Sequence, residues 1–417
     1  MRILVLHRVP DAMVRYAEVI DHDAHEVTYV AVPDRMATMP SNVPARRLMR
    51  PGTGETSAEV LAAIEGLPSP DMVIALSEYD LLPAARVREA FGVPGGDVAD
   101  VLPVRDKVTM KAAIGAAGLR APQFLPLKTA LNDGAAEVSW TGRTVLKPRT
   151  GASSEGVRLF PTVQTALAAV SSTQPPIEID DFEIEEFVEG PIIHVDGVVA
   201  AGAPTVVQTS RYVGTCLDFA SGAPLGSVQV DTSPEVTDWA LQCLSAVGIK
   251  TGPFHLEGIE TADGPVFLEV GARFGGADVV DTFELATGVR LPSAQLRLLV
   301  DGPHTPLRVG TPQPSQRYGW YVWPGHNLGT KYCRIFGEAA FRNHPLVWRW
   351  VQRRPDEAVS SDITYADAQV PLAGIVGPGT AEDLTELLTE MFASITVVPD
   401  DQPRIADLAL VAGEGGS

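Results

Sequence analysis

The stretch at residues 145–160, VLKPRTGASSEGVRLF, has the features of a β-hairpin built around a turn of small residues. A β-rich run at 144–146 delivers Lys147, and a second run follows at 156–160. Two such runs with a Gly-bearing connection predict an antiparallel hairpin. The small loop allows backbone N–H groups to approach an anion, and Lys147 adds a positive charge. A solvated turn with an exposed lysine is the alternative, and the spacing of a Walker-type loop is absent.

A second hairpin is predicted further along the chain, and each of its strands carries one acid. The strands at 253–259 and 265–270 are joined by Asp263-Gly264, a strong turn signal. Glu257 and Glu269 stand among apolar residues, where an unpaired carboxylate is costly to bury. On paired strands the two acids can share a divalent cation, and oxygen-only ligands favour Mg²⁺. The alternative, two outward-facing surface acids, is weakened by the large apolar residues beside both.

The N-terminal hundred residues alternate short β-rich runs with helical segments. Runs at 3–6, 27–32 and 71–76 predict a small parallel sheet. Residues 77–80, Ser-Glu-Tyr-Asp, follow the last run at the carboxyl edge where open α/β sheets bind ligands. We prefer the simpler interpretation, in which these residues are a helix N-cap followed by acids in the first turn.

Composition narrows the class of protein. The length of 417 residues predicts two or three domains, and the net charge of −20 argues against nucleic acid or an anionic membrane as partner. The three cysteines, Cys216, Cys243 and Cys333, are too far apart for a zinc knuckle or a disulfide framework. The apolar run at the N-terminus is too short for a signal peptide or membrane span. We therefore expect a cytoplasmic protein.

Five segments, in this order and spacing, together resemble the ATP-grasp superfamily, and within it the ADP-forming carboxylate–amine ligases that join amino acids. The segments are RDKVTMKAAIGAAGLRAPQF, VLKPRTGASSEGV, EIEEFVEG, GPFHLEGIETADGPVFLEVGARFGG and ATGVRLPSAQLRLLVDG. The resemblance implies an α/β chain of three parts. These are a small parallel α/β domain at 1–103, a two-lobed ATP-grasp core at 104–302 with a flap subdomain at 122–187, and an α+β lobe at 303–417 ending in a disordered tail.

The resemblance also implies roles for individual residues, with ATP and Mg²⁺ (or Mn²⁺) as cofactors. The residues it assigns to the nucleotide are Lys107 and Lys147 at the phosphates, Ser153, Ser154 and Gly156 in the flap, Glu185, Glu186, Phe187 and Val188 in the hinge at adenine, and Val145 and Leu268 around the adenine ring. Glu257 and Glu269 resemble the Mg²⁺ carboxylates. Arg273 resembles the arginine that steadies the transferred phosphate and, with Lys147, is expected to be catalytic. Without the resemblance, Lys107 is an ordinary solvated helix residue.

Two positions depart from the family pattern. Ile192 stands where many members have a glutamate for ribose, so ribose must be held differently. At the second metal site the frequent Glu-x-Asn-x-Arg is replaced by Glu269-Val-Gly271-Ala-Arg273. Gly271 has no side chain to offer a cation, so coordination would rest more heavily on Glu269 and water. We interpret both as variation within the superfamily.

The expected activity is ATP-dependent joining of an amino-acid carboxylate to an amine through an acyl phosphate, as in a dipeptide or amide synthetase. ATP is needed because a carboxylate is a poor electrophile, and the protein then positions the groups and stabilises charge. Candidate substrate residues are His194, Arg211, Tyr212, His255 and Asp278, of which Arg211 is our first choice for a carboxylate; Arg273 is expected there too.

Two other functions stay open at this point. An ATP-grasp carboxylase or purine-pathway ligase would need a bicarbonate, biotin or ribonucleotide site. An ATP-binding regulatory protein with lapsed catalysis would account for the departures at Ile192 and Gly271. The partners expected from the resemblance are small-molecule substrates and a second copy of the chain in a homodimer.

Overall fold

The computed structural model describes residues 1–151, 153–172, 177–310 and 316–402. The tail expected to be disordered lies largely outside these ranges, and so do parts of the Ser/Pro-rich stretch at 171–176 and of the Pro-rich stretch at 305–317.

The N-terminal part is a parallel sheet with helices packed against it, as the alternating pattern predicts. Its strands and helices are β1 (Arg2–Leu6), α1 (Asp11–Val14), β2 (Glu26–Ala31), α2 (Pro33–Met36), β3 (Arg46–Met49), α3 (Thr56–Ala63), β4 (Met72–Ala75), α4 (Leu81–Phe91), α5 (Val98–Val101) and α6 (Lys107–Ala116). The strand order is β3-β2-β1-β4, and each neighbouring pair is parallel. The sequence did not predict β3, whose arginines conceal the β pattern.

The next part is a small antiparallel sheet with a helix beside each end. It consists of β5 (Phe124–Pro126), α7 (Leu127–Asp133), β6 (Thr144–Pro148), β7 (Arg158–Phe160), α8 (Val163–Ser172) and β8 (Phe182–Glu186). Strands β6 and β7 form the hairpin predicted around the Gly-bearing turn, with Val145 opposite Leu159. Strand β8 pairs with β6 on its other side and brings Glu185 opposite Val145. The sheet order is β5-β8-β6-β7.

The remaining strands of the described chain form a large antiparallel sheet and a separate pair. The elements are β9 (Ile192–Ala200), β10 (Ala203–Val213), α9 (Cys216–Ala220), β11 (Leu225–Val230), α10 (Pro234–Ala246), β12 (Gly252–Thr261), β13 (Gly264–Gly271), α11 (Val279–Thr287), α12 (Leu291–Val300), β14 (Arg317–Trp323), β15 (Tyr332–Phe336), β16 (Val347–Gln352), β17 (Leu372–Gly379), α13 (Ala381–Ser394) and β18 (Thr396–Asp400). The sheet order is β13-β12-β9-β10-β11-β14-β17-β16, and β15 pairs with β18. The boundary expected near residue 302 therefore does not separate two sheets, because β14, β17 and β16 extend the sheet begun by β9.

Helices α11 and α12 connect the N-terminal sheet to the large sheet. Phe283 of α11 and Leu296 of α12 are buried in one apolar cluster with Ile3 and Tyr29 of the first sheet and Val198 of β9. This packing brings the carboxyl edge of the parallel sheet close to the ends of β12 and β13. No helix in the described ranges is long and apolar enough to cross a membrane.

A bulge at Leu268 of β13 sets the position of the acids on the second hairpin. The register shifts between Glu257 and Gly258, and the residues directly opposite are Glu257 with Glu269 and Gly258 with Phe267. At Gly258 a Cβ atom would stand 2.5 Å from the ring of Trp239 on α10. Position 258, on the strand opposite the bulge, therefore needs a residue without a side chain, so that the helix can pack against the strand.

We predict that Gly258→Ala destabilises the fold by about 1–3 kcal/mol, because the added methyl overpacks the contact with Trp239. Denaturant unfolding followed by circular dichroism measures the change. Gly115→Ala is the matched control: Gly115 is an exposed residue of α6 with open space around its Cβ position. It should gain about 0.5–1 kcal/mol, since glycine is unfavourable inside a helix. An equal change in unfolding free energy for the two variants would show that the contact at Gly258 is not important for stability.

Candidate functional site

The two predicted metal carboxylates face each other across adjacent strands. Glu257 lies opposite Glu269, and Lys107 at the start of α6 contacts Glu269 with an Nζ–Oε2 distance of 3.2 Å. Burial alone raises the pKa of Glu269, but the charges of Lys107 and Lys147 outweigh it and lower that pKa to about 2. Glu269 is therefore ionised at neutral pH, as a cation ligand must be.

Described residues line two cavities that meet at this pair of acids. The first, with a volume of about 350 Å³, lies between the small antiparallel sheet and β12–β13. The second, of about 250 Å³, lies between the N-terminal sheet and the large sheet. Glu257, Glu269, Ser154 and Cys216 line both cavities. A group that moves from a ligand in one cavity to a ligand in the other must pass these residues.

The structure gathers most of the expected nucleotide residues around the first cavity. Those that line it are Lys107, Val145, Lys147, Ser154, Glu185, Glu186, Phe187, Val188 and Leu268. Ser153 lines the second cavity instead, and Gly156 stands between the lining residues Glu155 and Val157. Ile192 also lines the first cavity and presents an apolar side chain where many family members have a ribose acid.

The turn between β6 and β7 has the backbone geometry of an anion-binding loop. Ser153 (φ 60°), Ser154 (φ 55°) and Gly156 (φ 72°) all have left-handed conformations. Such conformations, rare for serine, turn successive N–H groups toward one side of a loop. Lys107 Nζ donates to the carbonyl oxygen of Gly151 at 3.2 Å, so a lysine from α6 already reaches this turn.

A buried network of four charges, only partly expected from the sequence, supports Lys147. Lys147 Nζ lies 2.7 Å from Glu185 Oε1, and Lys111 pairs with both Glu185 and Glu183, at 2.5 Å from Glu183 Oε1. Burial alone lowers the pKa of Lys147, but Glu185 and Glu183 together raise it. Lys111, which is 1% exposed, was missed, and the carboxylate of Glu185, expected at adenine, is bound by the two lysines.

Arg273 is held by a residue of the N-terminal part that we had interpreted as structural. Arg273 Nε donates to Glu78 Oε2 at 2.7 Å, and Arg105 forms an ion pair with the other oxygen of Glu78. Burial lowers the pKa of Arg273, but Glu78 more than offsets this and raises it. The N-cap interpretation of residues 77–80 is corrected, because Ser77 makes no side-chain capping bond. Their position at the carboxyl edge of the sheet was the feature of the sequence that indicated a place in the site.

Gly271 lacks a side chain for a reason that the structure makes plain. A Cβ atom there would stand 3.1 Å from Glu78 Oε2 and 3.3 Å from Arg273 Cγ. The space that a side chain would need at position 271 is therefore taken by the Glu78–Arg273 pair.

The expected substrate residues divide between the second cavity and other places. Tyr212 and His255 line the second cavity with Arg273. Arg211, our first choice, is corrected: it is exposed and both its Nε and a terminal nitrogen donate to Glu260, at 2.9 and 3.0 Å. Because successive residues of a strand face opposite sides, Arg211 points away from the side that Tyr212 faces. Asp278 is bound by Arg349 of β16.

We predict that Lys111→Met destabilises the protein by about 3–5 kcal/mol, because it leaves the buried Glu183 and Glu185 with Lys147 alone. The change is measured by denaturant unfolding. Lys128→Met is the matched control: its ion pair with Asp180, at 3.0 Å, is more than half exposed on both sides. Removing it should cost less than about 1 kcal/mol. A similar loss of stability in the two variants would show that the buried network contributes no more to stability than an exposed ion pair.

Comparison with known proteins agrees with this geometry. Residues 142–281 match the ATP-grasp domain family. The chain is 23% identical over 310 residues to alanine–anticapsin ligase of Bacillus subtilis, covering 65% of this chain and 63% of that protein. It is 28% identical over 223 residues to the uncharacterized protein y4rH of Sinorhizobium fredii, covering 50% and 45%. Both matches span less than two-thirds of the curated relative's length.

Solved structures extend the likeness to nearly the whole chain. The L-amino acid ligase from Bacillus licheniformis superposes with a TM-score of 0.70 at 20% identity, covering 96% of this chain and 99% of that one. N5-carboxyaminoimidazole synthetase from Staphylococcus aureus, complexed with ADP, gives 0.62 at 12% identity, covering 94% and 96%. At these identities the likeness is one of fold. The matched domain confirms the predicted resemblance: residues 142–281 carry an ATP-grasp domain, and the fold of nearly the whole chain is shared with these ligases and synthetases.

Proposed function

We propose that the protein is an ATP-dependent ligase that joins the carboxylate of an amino acid, or a similar acid, to an amine and releases ADP and phosphate. The observation that carries the proposal is the placement of Glu257 and Glu269 where the two cavities meet. One cavity has lysines and an apolar wall, and the other has Arg273. The ligase names of two proteins similar to this chain support the proposal.

The residues of the first cavity fit ATP. Val145, Leu268 and Ile192 supply apolar surface for a base, while Lys107 and Lys147 supply positive charge for phosphates. The carboxylate pair fits Mg²⁺, which prefers oxygen ligands and takes others from substrate phosphates. Bound there, Mg²⁺ would offset negative charge on the phosphate oxygens.

The proposed reaction has two steps. A carboxylate oxygen of the acid first attacks the γ-phosphorus of ATP, the bond to the bridging oxygen of ADP breaks, and an acyl phosphate forms. The amine nitrogen then attacks the acyl carbon, inorganic phosphate leaves, and the nitrogen loses a proton. Lys147 and Arg273 stabilise charge on the transferred phosphoryl group, and Glu78 keeps Arg273 in place for it. The turn that holds Ser153 and Ser154 shields the acyl phosphate from water.

The second cavity favours an acid with an apolar side chain. Its wall includes Leu76, Leu225, Val279, Trp320 and Tyr365. Leu225, Val279 and Trp320 belong to one apolar cluster, and Tyr365 packs against it. A charged side chain would lose its hydration against such a wall.

We predict that phosphate release will require ATP, Mg²⁺ and a pair of amino acids, with apolar acids preferred. The measurement is phosphate release across a matrix of amino-acid pairs, with product mass read in parallel. A mass equal to the sum of the pair less water identifies the product. Glu269→Gln should lower the rate by about 100-fold or more. Glu260→Gln, which removes the partner of Arg211 outside the site, should leave the rate close to that of the wild type.

The same matrix separates the other candidate functions. Release that depends on bicarbonate instead of an amino-acid pair would replace the proposal with a carboxylase-type reaction. Nucleotide binding without release under any condition would support a regulatory protein that has lost catalysis.

We also predict that Gly276→Val narrows the range of acids. Gly276 lines the second cavity, and a Cβ atom there would meet Tyr365 at a comfortable 3.8 Å. The Cβ atom is accommodated by the fold, and the two methyl groups beyond it take up cavity space. The KM for leucine or phenylalanine should rise about 10-fold or more, with the KM values for alanine and ATP unchanged. An equal rise for alanine would contradict the assignment of the second cavity to the acid.

A further inference from the structure

A row of buried polar side chains crosses the large sheet and ends at Glu257. His255 Nε2 lies 3.4 Å from Glu257 Oε1, and His255 Nδ1 donates to Asp196 Oδ1 at 2.8 Å. The other oxygen, Asp196 Oδ2, accepts from His194 Nδ1 at 2.5 Å. His194 Nε2 then bonds the hydroxyl of Ser227 at 2.7 Å. We call the four residues Ser227, His194, Asp196 and His255 the histidine row.

The strands fix the row in place. Asp196 is directly opposite His255, and His194 is directly opposite Glu257, on the neighbouring strands β9 and β12. His194 is 1% exposed and Asp196 is 2% exposed. Buried polar groups are costly unless they are paired, and here each has a partner within the row. The orientation of each imidazole is thus determined by the carboxylate between them.

The row acts on one oxygen of Glu257. Tyr212 donates its hydroxyl proton to the same Oε1 at 2.6 Å. Oε1 therefore accepts a hydrogen bond from Tyr212 and contacts the imidazole of His255 on another strand, and within the described part of the chain Oε2 has no hydrogen-bond donor. One oxygen is anchored while the other can bind a cation. Outer partners of this kind orient the ligands of a metal and tune its affinity.

We propose that Asp196, acting through His255, is a positioning residue that orients Glu257 and thereby sets the affinity of the site for its divalent cation. The inference rests on the proposed function, in which Glu257 is a cation ligand. The row is not itself a cation site, because both oxygens of Asp196 already accept N–H groups and a cation would have to displace them.

Mn²⁺ binding in the presence of ADP, followed by electron paramagnetic resonance, tests the proposal without turnover. Asp196→Asn should weaken Mn²⁺ binding about 10–100-fold, because an amide cannot accept from both imidazoles. The affinity for ADP without metal should stay the same. His194→Gln, one step further from Glu257, should have a smaller effect in the same direction, and it keeps the test available if Asp196→Asn does not fold.

His22→Asn is the matched control for losing a buried histidine. His22 bonds the carbonyl oxygen of Ile20 and the hydroxyl of Tyr29 in the N-terminal part, far along the chain from the row. It should lower the unfolding temperature and leave Mn²⁺ affinity unchanged.

Each outcome has a distinct meaning. If the wild type binds no Mn²⁺ with ADP, the proposed function itself fails. If the wild type binds Mn²⁺ and Asp196→Asn binds it equally well, the positioning role is overturned. Loss in Asp196→Asn of an ion that the wild type binds without ADP would also overturn it, since that result assigns the row as a cation site of its own.

Discussion

The repulsion between Glu257 and Glu269 is the constraint on which the rest of the site depends. Like charges directly opposite on paired strands are destabilising, and here both belong to a hairpin whose other residues are mostly apolar. The pair is tolerated because cations surround it: Lys107 contacts Glu269, and Lys147 and Arg273 lower its pKa further. A site with this balance is prepared to accept further positive charge from a metal and negative charge from phosphates.

Helix α6 supplies part of the positive charge at the site and is bound to the small antiparallel sheet. Lys107 in its first turn reaches the carbonyl of Gly151, and Lys111 one turn later enters the buried network with Glu183. Asp106, just before the helix, pairs with Arg149 at 2.8 Å. Several polar contacts therefore join the start of the helix to the small sheet and its turn. Lys107 therefore links the turn between β6 and β7 directly to Glu269.

Local patterns in the sequence were sufficient to predict the hairpins and the parallel sheet. They did not predict which residues, distant in sequence, form contacts with one another. Glu257 and Glu269 were found because an acid among apolar strand residues is conspicuous. Lys111 was missed although it stands four residues after Lys107 and so on the same face of α6, a spacing that the sequence does contain. Its partners lie more than seventy residues away, and no local pattern names them.

The error at Arg211 has a similar physical cause. Arg211 and Tyr212 are neighbours on one strand, so only one of them can face the cavity. The sequence offers no way to choose until the register with β9 and β11 is known. We chose Arg211 as the substrate residue because of its positive charge, whereas Tyr212 is the residue that contacts Glu257.

The contact between Glu78 and Arg273 makes the N-terminal part a component of the site. Because Arg273 of the second cavity is held by Glu78, this cavity is complete only when the N-terminal sheet is packed against the large sheet. Glu78 bridges Arg273 and Arg105, so one carboxylate balances two guanidinium groups and the cluster keeps a net positive charge beside the second cavity. The absence of a side chain at Gly271, which looked like a loss, leaves room for this third acid beside Arg273.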